Sequence, residues 1–231
     1  MAGVDRAIVK QAARLACAAI YDPVDEKAFT RIHRIGESVC GVALHDDICY
    51  VAMQGTELEE GESDRALHFS LRGWIADFDC VAVHHPVLGH LHGGFHQNLP
   101  SLLPLLMAEL PPGARVVVTG HSKGAGEAAL LGALLKLEGV DVAGMVLFAC
   151  PRPGYQQLAD WLADHVPGVS FRNAPAGAEA FGDPVAMVPF NPYVAPYPLF
   201  HIDQAPAGLE RVMSLEWHRA ALYIEALEAL K

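Results

Sequence analysis

Positive charge is scarce in this sequence. Its 231 residues carry 16 lysines and arginines against 27 aspartates and glutamates, a formal net charge of −11 at pH 7. A chain of that sign repels phosphate backbones, which excludes nucleic acid as a partner. Charge of either sign is thin, at 19 % of residues, whereas ordinary domains have about 25 %. With 52 % hydrophobic residues, disorder and coiled coil are excluded too, since both need a more charged chain. No apolar run approaches the roughly 20 residues that span a bilayer, so no transmembrane helix is expected. The apolar stretch Ala12 to Ile20 has Asp5 before it, Arg14 within it and Tyr21-Asp22-Pro23 after it. Those flanks do not fit a signal peptide, and a cytoplasmic location is expected. Cysteine is scarce and odd in number: Cys17, Cys40, Cys49, Cys80 and Cys150 contain no CxxC pair and read as buried reduced thiols. Repeats and long linkers are missing as well, so residues 1–231 read as one domain with a full core.

What is present alternates between helix and strand. Val4, Ile8, Ala12, Leu15 and Ala19 repeat at helical spacing and predict a core-facing helix. Ser38 to Leu44 and Ile48 to Met53 flank His45-Asp46-Asp47, a hairpin signal. Glu57 to Arg65 is an acidic surface loop. Helices are predicted over Leu99 to Leu110, Tyr155 to Val166, Gly126 to Leu137 and Leu215 to Leu230. Buried strands are predicted at Arg115 to Thr119, Gly144 to Ala149 and Val169 to Arg172. Five prolines from Pro184 to Pro198 predict a loop without regular structure. Strands alternating with helices imply βαβ units and a mainly parallel sheet. His84, His85, His90, His92 and His96 invite a metal, but no H-E-x-x-H is present and Gly93-Gly94 discourages a helix through His92 and His96. Structural or surface roles are expected for them, with no metal and no cofactor.

Between the best strand and the best helix stands Gly120-His121-Ser122-Lys123-Gly124, a G-x-S-x-G pentapeptide. Its chemistry needs a serine on a tight strand-to-helix turn, with small neighbours that let the turn pack closely. The following helix points its N-terminal amides at the serine, where a developing anion is favoured. A phosphate-binding loop lacks its required spacing here. A serine nucleophile needs a base, and the base an orienting carboxylate, in the order Ser, acid, His along the chain. His165 falls in a predicted helix; by spacing alone, His201 and His218 remain equal candidates for the base. Asp183, in Gly182-Asp183-Pro184-Val185, sits in a loop just beyond a predicted strand and suits the acid, with Asp203 and Glu216 as rivals.

Several segments, in order from Val39 to the C-terminus, resemble the class 3 lipases, the fungal-lipase-like branch of the α/β hydrolases. Val118-Thr-Gly-His-Ser-Lys-Gly-Ala125 looks like the family's nucleophile motif, with Lys123 where leucine is commoner. Gln54-Gly55-Thr56 is similar to its Arg-Gly-Thr oxyanion turn. Arg72-Gly-Trp-Ile-Ala-Asp77 resembles the lid-helix motif and Leu91-His-Gly-Gly-Phe95 the segment after it. Ala149-Cys-Pro-Arg-Pro-Gly154 is similar to the strand end before the acid, and Asp183-Pro-Val to the acid itself.

The resemblance implies an α/β-hydrolase fold, a central mostly parallel sheet flanked by helices, with a lid at about residues 57–78. It implies a serine carboxylester hydrolase, triacylglycerol-lipase-like, acting on a lipid or small ester, with a lipid–water interface as a possible setting. Ser122 would be the nucleophile, Asp183 the acid and His218 the base, with His201 the runner-up. Thr56 and Lys123 would form the oxyanion hole, and Leu67, Phe69, Leu71, Trp74 and Ile75 the apolar underside of the lid. Gln54 in place of the family's arginine implies that any ion pair bracing the oxyanion turn is built differently. The alternatives are a phospholipase A1-type enzyme, a short-chain soluble esterase or thioesterase, and a catalytically inactive binding relative.

Overall fold

The computed structural model describes residues 4–19, 25–55, 81–175, 177, 180–206, 213 and 215–229. Helix α1 (Arg6–Ala18) starts where the Asp5 side chain accepts the Ala7 N–H, satisfying one orphan amide of the first turn. It buries Val9, Ala12, Ala13, Leu15 and Ala16, with Val4 and Ala19 also buried at its ends, close to the face expected from the sequence. Strands β1 (Arg31–Ile35), β2 (Ser38–His45) and β3 (Ile48–Met53) follow as an antiparallel meander. The β2–β3 turn is the expected hairpin: Asp46 and Asp47 both take positive φ, as a two-residue primed turn requires.

Strands β4 (Ala82–His85) and β5 (Gly89–His92) form a separate two-stranded sheet, followed by a single helical turn at Gly93–His96. Helix α2 (Leu99–Glu109), β6 (Arg115–His121), α3 (Lys123–Leu137), β7 (Asp141–Phe148), α4 (Gln156–His165) and β8 (Gly168–Asn173) then alternate. Strand β9 (Leu199–Ile202) and helix α5 (Ala220–Ala229) complete the set.

Among the described residues the main sheet has the order β1-β2-β3-β6-β7-β8-β9. Every pairing from β3 through β9 is parallel, so the sheet is mostly parallel and flanked by helices on both faces. Strand side chains alternate between the two faces. Val116 and Val118 therefore join the core under α2, α3 and α4, while Val117, Val146 and Phe148 join the core under α1 and α5. All C-terminal ends of the parallel strands open at one edge, where ligand sites of such sheets form.

Several expectations need correction. The edge strands β1 and β9 and the β4–β5 pair were not foreseen, because short edge strands carry few of the apolar residues that mark a buried strand. Helix α3 begins at Lys123, three residues before the predicted Gly126. A helical turn does cross Gly93 and Gly94: the Gly93 amide donates to Val81 O at 2.9 Å, and a Cβ on Gly93 would lie 2.5 Å from that oxygen. Tertiary packing overrides the low helix propensity of glycine there. The proline segment contains one 3-10 turn, Val185–Met187, and the closing helix is split into a 3-10 turn, Leu215–His218, and α5. Cys40, Cys49 and Cys150 are free and buried as expected, but Cys17 is only half-buried. Thr56, the acidic loop, the lid candidate at 57–78 with Leu67, Phe69, Leu71, Trp74 and Ile75, and Cys80 lie outside the described residues. Among the described residues, no helix is long and apolar enough to cross a membrane.

Candidate active site

Strand β6 rises through the middle of the sheet and hands the chain to α3 at Ser122. The serine is held at φ 59°, ψ −132°, a conformation that L-residues avoid. It persists because glycine stands two residues away on either side, at 120 and 124. A Cβ on Gly120 would lie 2.4 Å from Gly124 O, and one on Gly124 would lie 2.4 Å from Met53 O. The Ser122 amide donates to Phe148 O at 3.0 Å, and Ser122 O accepts the Ala125 amide at 2.9 Å, which locks the turn from both sides. Lys123 is the first residue of α3, so its amide, like the others of a first helical turn, has no intrahelical acceptor.

His218 ends the 3-10 turn before α5 and reaches back across the sheet edge. Its Nε2 is 2.8 Å from Ser122 Oγ, and its Nδ1 is 2.9 Å from Asp183 Oδ2. Both partners are as buried as the histidine itself: Ser122, His218 and Asp183 are 3 %, 3 % and 0 % exposed, so water does not compete for these bonds. Burial alone would push the Asp183 carboxyl up. The facing His218, the Tyr223 hydroxyl and the Val185 amide outweigh it and hold the carboxyl below its usual range. An ionised Asp183 only accepts, so Nδ1 of His218 carries the proton and Nε2 is left to accept from Ser122 Oγ–H.

Asp183 is fixed at every polar atom. Its Oδ1 accepts the Val185 amide at 2.9 Å, Oδ2 accepts the Tyr223 hydroxyl at 2.6 Å, and its amide donates to Asn173 O at 2.8 Å. Its carbonyl accepts Arg172 Nε at 2.9 Å, from an arginine only 1 % exposed at the end of β8. Tyr223 in turn accepts the Asn173 amide at 2.9 Å, and burial, then the neighbouring Asp183, push its phenol well above its ordinary value. The Asn173 side chain donates to Gln204 O and Trp217 O, tying the loop ahead of His218 to β8. His121 sits behind His218. Its Nε2 lies 2.9 Å from His218 O, and since a carbonyl only accepts, His121 must be the donor there. Burial first, and the neighbouring His218 second, push the His121 pKa down to about 3, so it stays neutral.

Of the two histidines that spacing leaves equal, His218 is hydrogen-bonded to Ser122, whereas His201 lies half-buried on the edge strand β9, paired with Arg172 in register. Asp203 is exposed and Glu216 only half-buried, while Asp183 is fully buried at the histidine. Tyr223, His121, Asn173 and Arg172 escaped the sequence reading. Tyr223 left a faint signal, a polar-tipped side chain on the buried face of the closing helix; the others looked like ordinary strand residues. The histidine-rich segment packs as aromatic rings: His84 edge-on against His90, His90 stacked on Tyr155, and His92 between Phe95 and Tyr193. Among the described residues, no cluster of histidine, cysteine or carboxylate side chains has the geometry to hold a metal.

A serine strained between a parallel strand and a helix, with acid and histidine delivered from later strand ends, defines an α/β hydrolase. The family model described as Lipase (class 3) matches residues 50–191, and the chain belongs to that family. It is a carboxylic ester hydrolase. Its fold is that of solved fungal lipases. The triacylglyceride lipase of Rhizomucor miehei matches with TM-score 0.64 at 19 % identity, over 87 % of this chain and 82 % of that one. A lipase from Rhizopus microsporus var. chinensis matches with TM-score 0.66 at 18 % identity, over 98 % and 85 %. A triacylglycerol lipase described as having a serine protease triad as its catalytic centre matches with TM-score 0.64 at 18 % identity, over 94 % and 95 %. No curated protein is similar enough in sequence to count as a match.

Proposed function

We propose that Ser122 is the nucleophile, His218 its general base and Asp183 the carboxylate that fixes the imidazole. Ser122 Oγ attacks the ester carbonyl as Nε2 of His218 takes its proton, and Asp183 stabilises the imidazolium that forms. The oxyanion lies at the N-terminus of α3, where the Lys123 amide donates to it, with Thr56 as the second donor. His218 then protonates the leaving alkoxide and the alcohol departs. Water attacks the acyl-enzyme through the same base, releasing a carboxylic acid and free Ser122. One observation carries this reading: the continuous buried chain Ser122–His218–Asp183, with links of 2.8 and 2.9 Å. An inactive binding relative would have no use for strain at Ser122 and a carboxylate held ionised in the core.

The substrate we assign is a glycerolipid ester taken up at a lipid–water interface, with residues 57–78 as the lid and Leu67, Phe69, Leu71, Trp74 and Ile75 on its apolar side. This assignment rests on family membership and on the names of the structural neighbours. Hydrolysis of p-nitrophenyl esters from C2 to C16, by wild type and by folded Ser122→Ala, tests both parts. Activity peaking at long chains and lost in the variant supports the whole reading. A peak at C2 to C4, lost in the variant, keeps the mechanism and moves the substrate to small soluble esters. Full activity in Ser122→Ala sinks the mechanism.

A further inference from the structure

Helix α3 carries a carboxylate where its neighbours are all apolar. Glu127 is 1 % exposed, between Gly126 and Ala128 on a helix otherwise buried by alanine, leucine and glycine. Its Oε1 accepts the Ser38 hydroxyl at 2.7 Å and lies 3.7 Å from Lys123 Nζ, one helical turn back. Lys123 folds back along the protein: its side chain is 15 % exposed, and its ammonium donates to Glu37 O at 2.8 Å in the β1–β2 turn. Asn98, just ahead of α2, donates to Ser38 Oγ at 3.1 Å. The start of α3 and the first residue of β2 therefore meet at one carboxylate, and the approach to α2 is joined to them through Ser38.

A lysine in the first turn of a helix is electrostatically misplaced, because the helix N-terminus is already positive. A buried glutamate is costly on its own. Each makes sense only with the other. The place where they meet is also specific. Gly124 touches the backbone of Met53 and Gln54, and the Gln54 amide donates to Val39 O at 2.8 Å, one residue beyond Ser38. Gln54 is neutral and buried, and its side-chain amide finds no acceptor among the described residues, so it does not brace this turn by an ion pair.

We propose that Glu127 is a positioning residue of the ester-hydrolysing site, clamping Lys123 and Ser38 so that the first amide of α3 stays in register with the Gln54-Gly55 turn. The inference rests on the reading that the Lys123 amide faces the oxyanion. The ion pair expected to be built differently is here moved from the turn onto the nucleophile helix itself.

Steady-state kinetics on p-nitrophenyl butyrate, with thermal midpoints, separates this from a purely structural role. Glu127→Leu alone should lower kcat about tenfold with KM within a factor of about two, because a donor slightly out of place matters mainly in the transition state. The double variant Lys123→Met with Glu127→Leu replaces a buried pair by apolar side chains, which typically restores stability. It should regain the wild-type midpoint and keep the low kcat. A double variant with both stability and kcat restored would overturn the proposal, as would a Glu127→Leu enzyme with wild-type kcat. Ser122→Ala in the same assay reports separately on the underlying reading: activity surviving that change removes the nucleophile assignment, and the clamp falls with it.

Discussion

The hydroxyl of Tyr223 shows how much of the site is held by groups that make no hydrogen bond to Ser122 or His218. It donates to Asp183 Oδ2 and accepts the Asn173 amide, joining α5, the acid loop and β8 at one oxygen. Tyr223→Phe removes both bonds and leaves the Asn173 amide unpaired in the core, at a cost of about 1–3 kcal/mol. We expect kcat to fall roughly tenfold with KM unchanged, because one hydrogen bond to the acid is lost while the His218 bond remains. Steady-state kinetics would show it, and an unchanged kcat would mean that Asp183 is ordered without the Tyr223 hydroxyl, by His218 and the Val185 amide. Asp183→Asn goes further. Its amide cannot serve as the same acceptor for Nδ1–H, so the wrong tautomer of His218 is favoured and kcat should fall about 10⁴-fold in a folded protein. Circular dichroism and single-turnover kinetics on one preparation would check both halves of that statement. Asp183 was legible in the sequence because a loop carboxylate beyond a buried strand has few structural uses. Tyr223 was not, because its function depends on a partner 40 residues away that only the folded chain supplies.

At the scale of elements, the strand–serine–helix unit is built on contact between backbones. Gly124 lies so close to the end of β3 that an added Cβ would meet Met53 O at 2.4 Å and Gln54 O at 2.6 Å. Neither atom is the free end of a side chain, so the helix itself must move. Gly124→Ala should therefore lower kcat/KM by roughly 10²-fold, the scale expected for about 1 Å of misplacement, by carrying the Lys123 amide away from the proposed oxyanion position. Gly132→Ala is the control: there the added Cβ meets Met145 Cε and Sδ, a flexible side chain that can swing aside. Comparable losses of activity in the two variants would show that α3 does not act as a positioned unit. The glycines around Ser122 were readable from sequence because close packing of such a turn admits little else. The start of α3 at Lys123 was not, since the residues 123–125 carry no apolar periodicity and are helical through the turn that precedes them.

For the whole molecule, the buried titratable groups set an acid limit. His121 protonates ordinarily near 6.5 but only at about 3 when folded, burial being the larger cause. Its folded value is depressed, so between those two pH values the unfolded chain binds the extra proton and stability falls as pH falls. The slope approaches about 1.4 kcal/mol per pH unit for one such group. Asp183 acts in the same direction, because its lowered carboxyl stabilises the fold above the ordinary carboxylate value and ceases to do so on acidification. Glu127 acts oppositely: its carboxyl is raised to about 7, chiefly by burial, so its contribution favours the fold at low pH and is lost as pH rises through about 7. Urea midpoints from pH 7 to pH 4 should decline steeply in wild type and less steeply in His121→Gln, which keeps a donor for His218 O but has nothing to protonate. Parallel declines would assign the acid sensitivity to other groups.

The sequence by itself determined the alternation of buried strands and helices, the strained serine between glycines and the acid loop beyond the third strand. Each depends on neighbours a few residues away, through periodicity, steric limits or turn chemistry. Only the tertiary structure decided which histidine lies against Ser122, where the edge strands lie and what Lys123 touches. His201 and His218 are equivalent by spacing; they separate because β9 pairs His201 beside Arg172, while the turn before α5 brings His218 across the open ends of β6 and β8. The Lys123–Glu127–Ser38 contact joins positions 89 residues apart, and its meaning follows from burial. In water such a pair contributes little, whereas Glu127 is 1 % exposed, so removing Lys123 leaves its carboxyl buried without that partner.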